Sequence, residues 1–434
     1  MALVANRHIR AVALFVLVTL LKMGLWTALE NRGSVHPFVG DNATAHYLPI
    51  ARRLLTEHRF NGPDSRPDSK VPPAYPLFLA GTMALAPDSF VQWSCLLQMM
   101  MDLATALVLY WVAHRLGLRT CGLLAGCVWL LYPPAVVIST WITAETAFTT
   151  LFVLGMGLFA ISLETKGATL ALAGGLVMGA ATMLRATPLF LPAVLLPASW
   201  RASAIGRWWM FSIAMGMVVA PWLLRNLVVL DDPIPVAVGT GSVMMQGSDE
   251  RFFTGDGKAT YYPETFRAAD QAGIHKPATD HESQIDRWMG RVGLWVQLTR
   301  LQQRPLSAIP FFAHKLVRLW YGTESGGLRQ QVFLGFFALL VAPAGLWQLW
   351  LWRASYPNFA NVLLSAVAYF ILLHTITLPE ARYMFPIFPL LILPASSVYE
   401  RVPRWQIPSA VARSIRHAAS RLRSASQNPP IPHS

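Results

Sequence analysis

Charge is what this chain has little of. Asp, Glu, Lys and Arg make up 13% of its 434 residues, where soluble domains carry about a quarter. That deficit excludes an ordinary soluble domain. With 54% apolar residues, 16 Trp and repeated long apolar runs, it points to a polytopic membrane protein. Cysteine is nearly absent. Cys95, Cys121 and Cys127 all lie inside apolar runs, which excludes a disulfide framework, and none has metal-ligand spacing with histidines. Acidic residues are outnumbered, 22 against 35 basic, for a net charge of +13. Much of the excess flanks apolar runs, as the positive-inside bias requires. A nucleic-acid binder would gather it on a polar domain instead, so no nucleic-acid partner is expected. Internal repeats are also missing.

The apolar runs supply the architecture. Ile9 to Leu29 is too long for a signal-peptide core and lacks a convincing cleavage site, so it reads as a retained span. Arg7 and Arg10 put its start in the cytoplasm. Residues 30 to 72 are polar and Pro-rich, and lie outside. Within them Tyr47, Ile50, Ala51, Leu54 and Leu55 share one helical face, while Arg52, Arg53 and Glu57 take the other. That pattern suits a helix on the membrane surface. The run from Ala74 to Ala86 is short for a span, which needs about 20 residues, and reads as interfacial or half-buried.

Further spans are expected at Phe90–Ala113, Cys121–Val137, from Thr146 to about Glu164, Ala168–Leu184, Trp208–Leu224, Val332–Trp350, Phe359–Ile376 and Met384–Val398. Pro188 to Trp200 is short and rich in proline. Counting it as a span leaves the C-terminus in the cytoplasm, where a tail with six arginines and no acidic residue belongs. The expected fold is therefore an all-α polytopic membrane protein of about ten transmembrane helices, with interfacial helices in the first outside loop. Residues 1–224 form a transmembrane module that includes this loop (30–89). Residues 225–329 form an outside loop or small domain, with a helical stretch from Pro305 to Trp320. Residues 330–400 hold the C-terminal spans, and 401–434 a basic, partly disordered cytoplasmic tail.

This topology gathers Asp41, Lys70, Glu145, Arg185, Arg225, Glu380 and Arg382 at one membrane face. Ionisable groups near membrane depth are costly and mark function by default. A carboxylate can take a proton from an attacking hydroxyl; Arg and Lys can hold a phosphate. Together they suit glycosyl transfer from a lipid phosphate. Bland readings stand beside this one. Glu145 opens a span, where it would favour a helix N-terminus. Arg225 can anchor the interface beside Trp222. Arg185 and Arg382 can mark span boundaries, His46 can solvate the surface helix, and Asp41 can be a loop or capping aspartate. Asp102, in mid-span, reads as a buried polar residue bonded to a neighbouring helix.

Six segments then resemble a known family, in order. They are Asp41 with Tyr47-Leu48-Pro49-Ile50-Ala51-Arg52-Arg53-Leu54-Leu55; Pro72-Pro73-Ala74-Tyr75-Pro76-Leu77; Leu131-Tyr132-Pro133-Pro134 with Thr143-Ala144-Glu145-Thr146; Leu184-Arg185-Ala186-Thr187-Pro188; Pro221-Trp222-Leu223-Leu224-Arg225-Asn226; and Ala381-Arg382-Tyr383-Met384-Phe385-Pro386. The pattern resembles the GT-C class of membrane glycosyltransferases, and within it the glycosyltransferase 39 and 83 type, bacterial relatives of the dolichyl-phosphate-mannose protein mannosyltransferases. The resemblance implies an inner-membrane enzyme with its site facing the periplasm or exterior. It would use a polyprenyl-phosphate sugar as donor, a lipid, glycan or protein as acceptor, and invert the sugar carbon. Asp41 would be the general base, and Glu145 would support the acceptor, the base or a divalent metal ion. Arg225, Arg185, Lys70 and Arg382 would contact phosphate, with His46, Tyr47 and Tyr75 also at the substrate. Asp41 stands further from Tyr47 than the aspartate of many relatives does, and Glu145 stands where some have Asp. The sequence itself demands no metal.

Two other classes stay open. A transporter or flippase of lipid-linked sugars would show inverted repeats and helices broken near the midplane. A structural subunit docking through 225–329 would leave the clustered charges without a role.

Overall fold

The computed structural model describes residues 2–249, 263–279, 281–323 and 327–401. The expected basic tail therefore lies almost wholly outside the described residues, as does part of the charged run after Asp249. In chain order the helices are α1 (Ala2–Asn31), α2 (Leu48–Thr56), α3 (Ala74–Leu85), α4 (Phe90–Arg115), α5 (Arg119–Leu131), α6 (Pro133–Ile138), α7 (Glu145–Thr165), α8 (Ala168–Thr182), α9 (Leu191–Arg201), α10 (Ile205–Leu230), α11 (Thr240–Ser248), α12 (Pro263–Gln271), α13 (Glu282–Gln303), α14 (Pro305–Arg318), α15 (Leu328–Ser355), α16 (Pro357–Ile376), α17 (Ala381–Met384) and α18 (Phe388–Arg401). Among the described residues strand pairing is confined to isolated bridges, Phe38 with Trp141 and Asn61 with Pro67. The chain is an all-α polytopic membrane protein.

Among the described residues seven helical segments are long and apolar enough to cross a membrane: α1, α4, α7, α10, α15, α16 and the stretch Ala381–Val398. Helices α5 and α8 fill two more of the expected positions as shorter apolar helices of 13 and 15 residues. The proline-rich segment is a 3-10 turn, Thr187–Phe190, followed by the 11-residue α9.

The expected third span is interrupted. Tyr132 leaves the helix with ψ at 112°, because a residue before proline is pushed out of the α region. Pro133 then starts the separate helix α6.

Burial separates centre from rim. The apolar window of α7 is 83% buried within the protein, and that of α1 only 17%. So α7, like the equally buried Ala381–Val398, is central, and α1 turns most of its surface to lipid. Small residues let α8 approach α10: a Cβ on Gly175 would overlap the carbonyl oxygen of Phe211, and one on Gly179 would sit 2.9 Å from that of Met215. Close backbone approach of this kind is how helices pack where lipid gives no hydrophobic drive. A polar clasp holds α1 instead. Lys22 Nζ meets Asp102 Oδ2 of α4 at 2.6 Å, with the two side chains 9% and 1% exposed. Asp102 is thus bonded to a neighbouring helix, as its position suggests.

The loops that precede α4 and α7 are tied to one another. Phe38 donates its N–H to the Thr140 carbonyl and accepts from that of Ile142, at 3.2 and 2.9 Å. The first loop, between α1 and α4, therefore lies against the second, before α7. In the first loop a π-helical turn, Ala43–Tyr47, runs directly into α2. Part of the apolar face of α2 is covered by protein: Ile50 and Ala51 are fully buried, and Ile50 packs with Phe60, Val71 and Trp222, while Leu55 stays exposed. Helices α11 to α14 rise from the segment after α10. Met245, Ala269, Trp288 and Val292 form a small core among them. The expected helix near Pro305 is α14.

Candidate active site

A cavity of about 690 Å³ opens where these loop elements meet the ends of the spans. Its wall is charged on one part and neutral on another. The charged part carries Lys70, Glu145, Arg185, Glu282, Asp286 and Arg382. Glu145 is there because α7 begins with it, and α7 is one of the two most deeply packed spans, with Ala381–Val398. Its carboxylate accepts 2.6 Å from Arg185 Nη1 and also from the Thr143 hydroxyl. Arg185 leaves the end of α8, and its guanidinium lies over the Tyr383 ring at 5.2 Å. Arg382 is held by Glu380 at 2.6 Å and lies 5.1 Å from the same ring. Lys70, at the end of the first loop, meets Glu282 of α13 at 2.6 Å. The bond to Glu282 holds the Lys70 ammonium above its ordinary range.

Each cation on the wall thus has a carboxylate at salt-bridge distance. Ion pairing does not use up an arginine. Its fork has five N–H donors, and Arg185 reaches Glu145 through Nη1 alone. The remaining edge suits the bidentate recognition of phosphate at which Arg excels.

The π-helical turn puts His46 and Tyr47 on the wall, and Asn42, just before it, joins them. Burial lowers the His46 imidazole below its usual pKa, against the pull of Asp68. It raises the Tyr47 phenol to about 12, a shift to which Glu145 adds, so both stay uncharged near neutral pH. Asp68, buried behind Lys70, is pushed up by burial although it accepts the Lys70 N–H at 2.6 Å.

The neutral part of the wall comes from α16, whose Tyr369, Leu373, His374 and Thr377 share one face, with Tyr383 beside them. Opposite, the N-terminus of α11 is occupied by Asp286. Its two carboxylate oxygens accept the N–H groups of Gly241 and Ser242 at 3.0 and 2.9 Å.

The sequence candidates divide accordingly. Lys70, Glu145, Arg185, Arg382, His46 and Tyr47 converge on the cavity. Three do not. Asp41 is exposed and lies just outside the wall, one residue before Asn42. Arg225 is engaged elsewhere: it donates to the carbonyls of Asp68 and Phe60 at 3.1 and 2.9 Å, and its guanidinium lies over Trp222 at 4.8 Å. It pins the first loop rather than facing the cavity. Tyr75 is fully buried, with its hydroxyl bonded to Gln98 at 2.9 Å. Among the described residues no three His, Cys, Asp or Glu side chains gather as a metal ligand set.

Sequence reasoning missed Glu282, Asp286, Ser242 and His374. The polar run around the first three carries no period that says what it faces. His374 had one available signal: it is a histidine in the last turn of an apolar span, where an ionisable group asks for an explanation.

No family profile matches the sequence, and no curated protein does. Among solved structures the chain is similar to the crystal structure of ArnT from Cupriavidus metallidurans bound to undecaprenyl phosphate. The match has 13% identity and a TM-score of 0.42, and covers 91% of this chain and 78% of that one.

Proposed function

We propose that the chain is a membrane glycosyltransferase. It would move a sugar from a polyprenyl-phosphate donor to a lipid, glycan or protein acceptor at the outer face of the bacterial inner membrane. The observation that carries this reading is the cavity wall, where Arg185, Arg382 and Lys70 stand beside Glu145 and Glu282 within about 690 Å³ at the ends of membrane-length helices. A lipid phosphate has charge for the cations to hold, and a hydroxyl acceptor has a proton for a carboxylate to take.

In this reading the acceptor oxygen attacks the anomeric carbon as the bond from that carbon to the phosphate oxygen breaks. The electron pair leaves with the phosphate, and the configuration inverts. Arg185 and Arg382 hold the departing charge, so their stabilisation grows as the charge develops. Lys70 adds to it from the mouth. Asp41, beside Asn42 at the rim, takes the acceptor's proton as the acceptor enters from outside. Glu145, fixed by Arg185 and Thr143, orients the acceptor from within. His46 and Tyr47 border the path between them. The chain from 1 to 224 would be the catalytic module, with 225–329 closing it from outside.

The test is sugar transfer by the full chain in nanodiscs, with labelled polyprenyl-phosphate hexoses and pentoses offered in turn. Transfer from one of them is expected. Arg185→Gln and Arg382→Gln should each lower it strongly, and Asp41→Asn should lower it by about 10²-fold or more if it is the general base. Full activity of Asp41→Asn would remove that residue from the mechanism and leave Glu145 as the base to test. Lipid-sugar movement across the bilayer without transfer would replace the enzyme by a transporter.

A further inference from the structure

His374 is the one polar group on the neutral wall whose chemistry remains to be accounted for. It is 6% exposed, lines the cavity, and has no hydrogen-bond partner in the protein at either ring nitrogen. Its ring position is fixed. It stacks on Tyr383 with centroids 4.7 Å apart and planes within 9°, and meets the Phe370 edge at 5.8 Å. The stack reaches the phosphate-binding end of the proposed site, because Arg185 and Arg382 both lie against the same Tyr383 ring, at 5.2 and 5.1 Å. A polar group held rigidly, nearly buried and unpaired at both ends is a site waiting for a partner, since buried polar atoms are otherwise bonded.

The donor and acceptor pattern selects that partner. A desolvated imidazole with no carboxylate beside it is neutral at pH 7 and above. It then offers one N–H donor and one acceptor nitrogen. A lipid acyl chain satisfies neither. A phosphodiester has acceptor oxygens only and satisfies one. A sugar hydroxyl both donates and accepts, so it can satisfy whichever ring nitrogen it meets. Resting on the glycosyltransferase reading above, we propose that His374 binds the hydroxyls of the donor's sugar while Arg185 and Arg382 bind its phosphate. His374 would then help determine which sugar the protein accepts. A site built to bond a hydroxyl discriminates strongly against an analogue that lacks it.

The experiment measures binding of two kinds of probe to the full chain in nanodiscs: undecaprenyl phosphate alone, and undecaprenyl phosphate carrying each of a set of hexoses and pentoses. Wild type should bind at least one sugar-bearing lipid more tightly than the bare lipid. His374→Phe keeps a ring in the stack and removes both polar atoms. It should weaken that sugar-bearing lipid about tenfold and leave the bare lipid unchanged. His374→Gln, with a donor and an acceptor, should recover part of the loss. Arg185→Gln should weaken both probes alike. The inference fails if His374→Phe binds the sugar-bearing lipid as wild type does, if it weakens both probes equally, or if wild type prefers no sugar. A wild type that binds neither probe overturns the glycosyltransferase reading itself, a different result from any of these.

Discussion

Lys22→Met should destabilise the protein far more than its place on the most lipid-exposed span suggests. The pair it breaks is short and buried, 2.6 Å between Nζ and Oδ2 with side chains 9% and 1% exposed. At an effective dielectric near 20 the gross attraction at that distance is about 6 kcal/mol. Desolvation of both ions cancels most of it, at several kcal/mol each. The net value of the intact pair is therefore small. The cost of a widowed charge is not: removing one partner of a buried pair typically loses about 3–5 kcal/mol.

The two single variants should also differ. In Asp102→Asn the abandoned lysine has a long flexible stem and can carry its ammonium towards the interface. In Lys22→Met the short aspartate on α4 cannot follow. Lys22→Met should be the worse variant, and Lys22→Met with Asp102→Val should recover most of the loss. The assay is thermal unfolding of the detergent-solubilised protein, followed by size-exclusion chromatography at each temperature. The reasoning is refuted if Lys22→Met melts with wild type, or if the double variant is no more stable than Lys22→Met. In the latter case the clasp matters through packing and not through charge.

Lys315 gives a pH prediction. Its side chain is fully buried, donating to the carbonyls of Gly247 and Ile376 at 2.7 and 3.1 Å, and burial lowers its pKa to about 7. Between that value and the ordinary 10.5 the unfolded chain binds the proton that the fold has released. Stability should therefore rise with pH across this window, by up to about 1.4 kcal/mol per pH unit, and the slope should vanish below pH 7. Comparing melting curves of wild type and Lys315→Met from pH 6 to 9 tests it; equal pH dependence in both would refute it. Arg225→Gln should free the first loop by removing the charged donors to Asp68 and Phe60, each such bond worth about 1.5–3 kcal/mol. Hydrogen exchange should rise over residues 58–70, whereas a residue whose only partner was the lipid phosphate would leave that exchange unchanged.

The spans were legible because a bilayer dictates both the length and the composition of what crosses it. The break at Tyr132 was also written in the sequence: the pair Pro133-Pro134 inside an apolar run denies its predecessor the α region, and reading Cys121 to Val137 as one span gave hydropathy precedence over backbone sterics. Pairing was not legible. Nothing near Asp102 in the chain names Lys22, because the two lie 80 positions apart and only helix packing joins them. Nothing near Lys70 names Glu282 either, which sits on α13, in the segment after α10.

The same distinction explains the division of the candidate residues. Charged residues at span ends were rightly singled out as costly, but cost alone does not say what offsets it. Arg225 and Arg185 both follow apolar runs, and their local sequences rank them alike. The difference lies in what each meets. Arg225 finds loop carbonyls at 3.1 and 2.9 Å, so its donors go to holding backbone in place. Arg185 finds one carboxylate oxygen through one nitrogen, which neutralises its charge and leaves an edge of the fork for a second anion. A cation that serves structure has its donors taken up by the protein, whereas one that serves a ligand is balanced in charge before it is filled in hydrogen bonds. On that criterion Arg185 is the cation to mutate first, and His374, whose nitrogens meet no protein partner at all, is the neutral residue to mutate beside it.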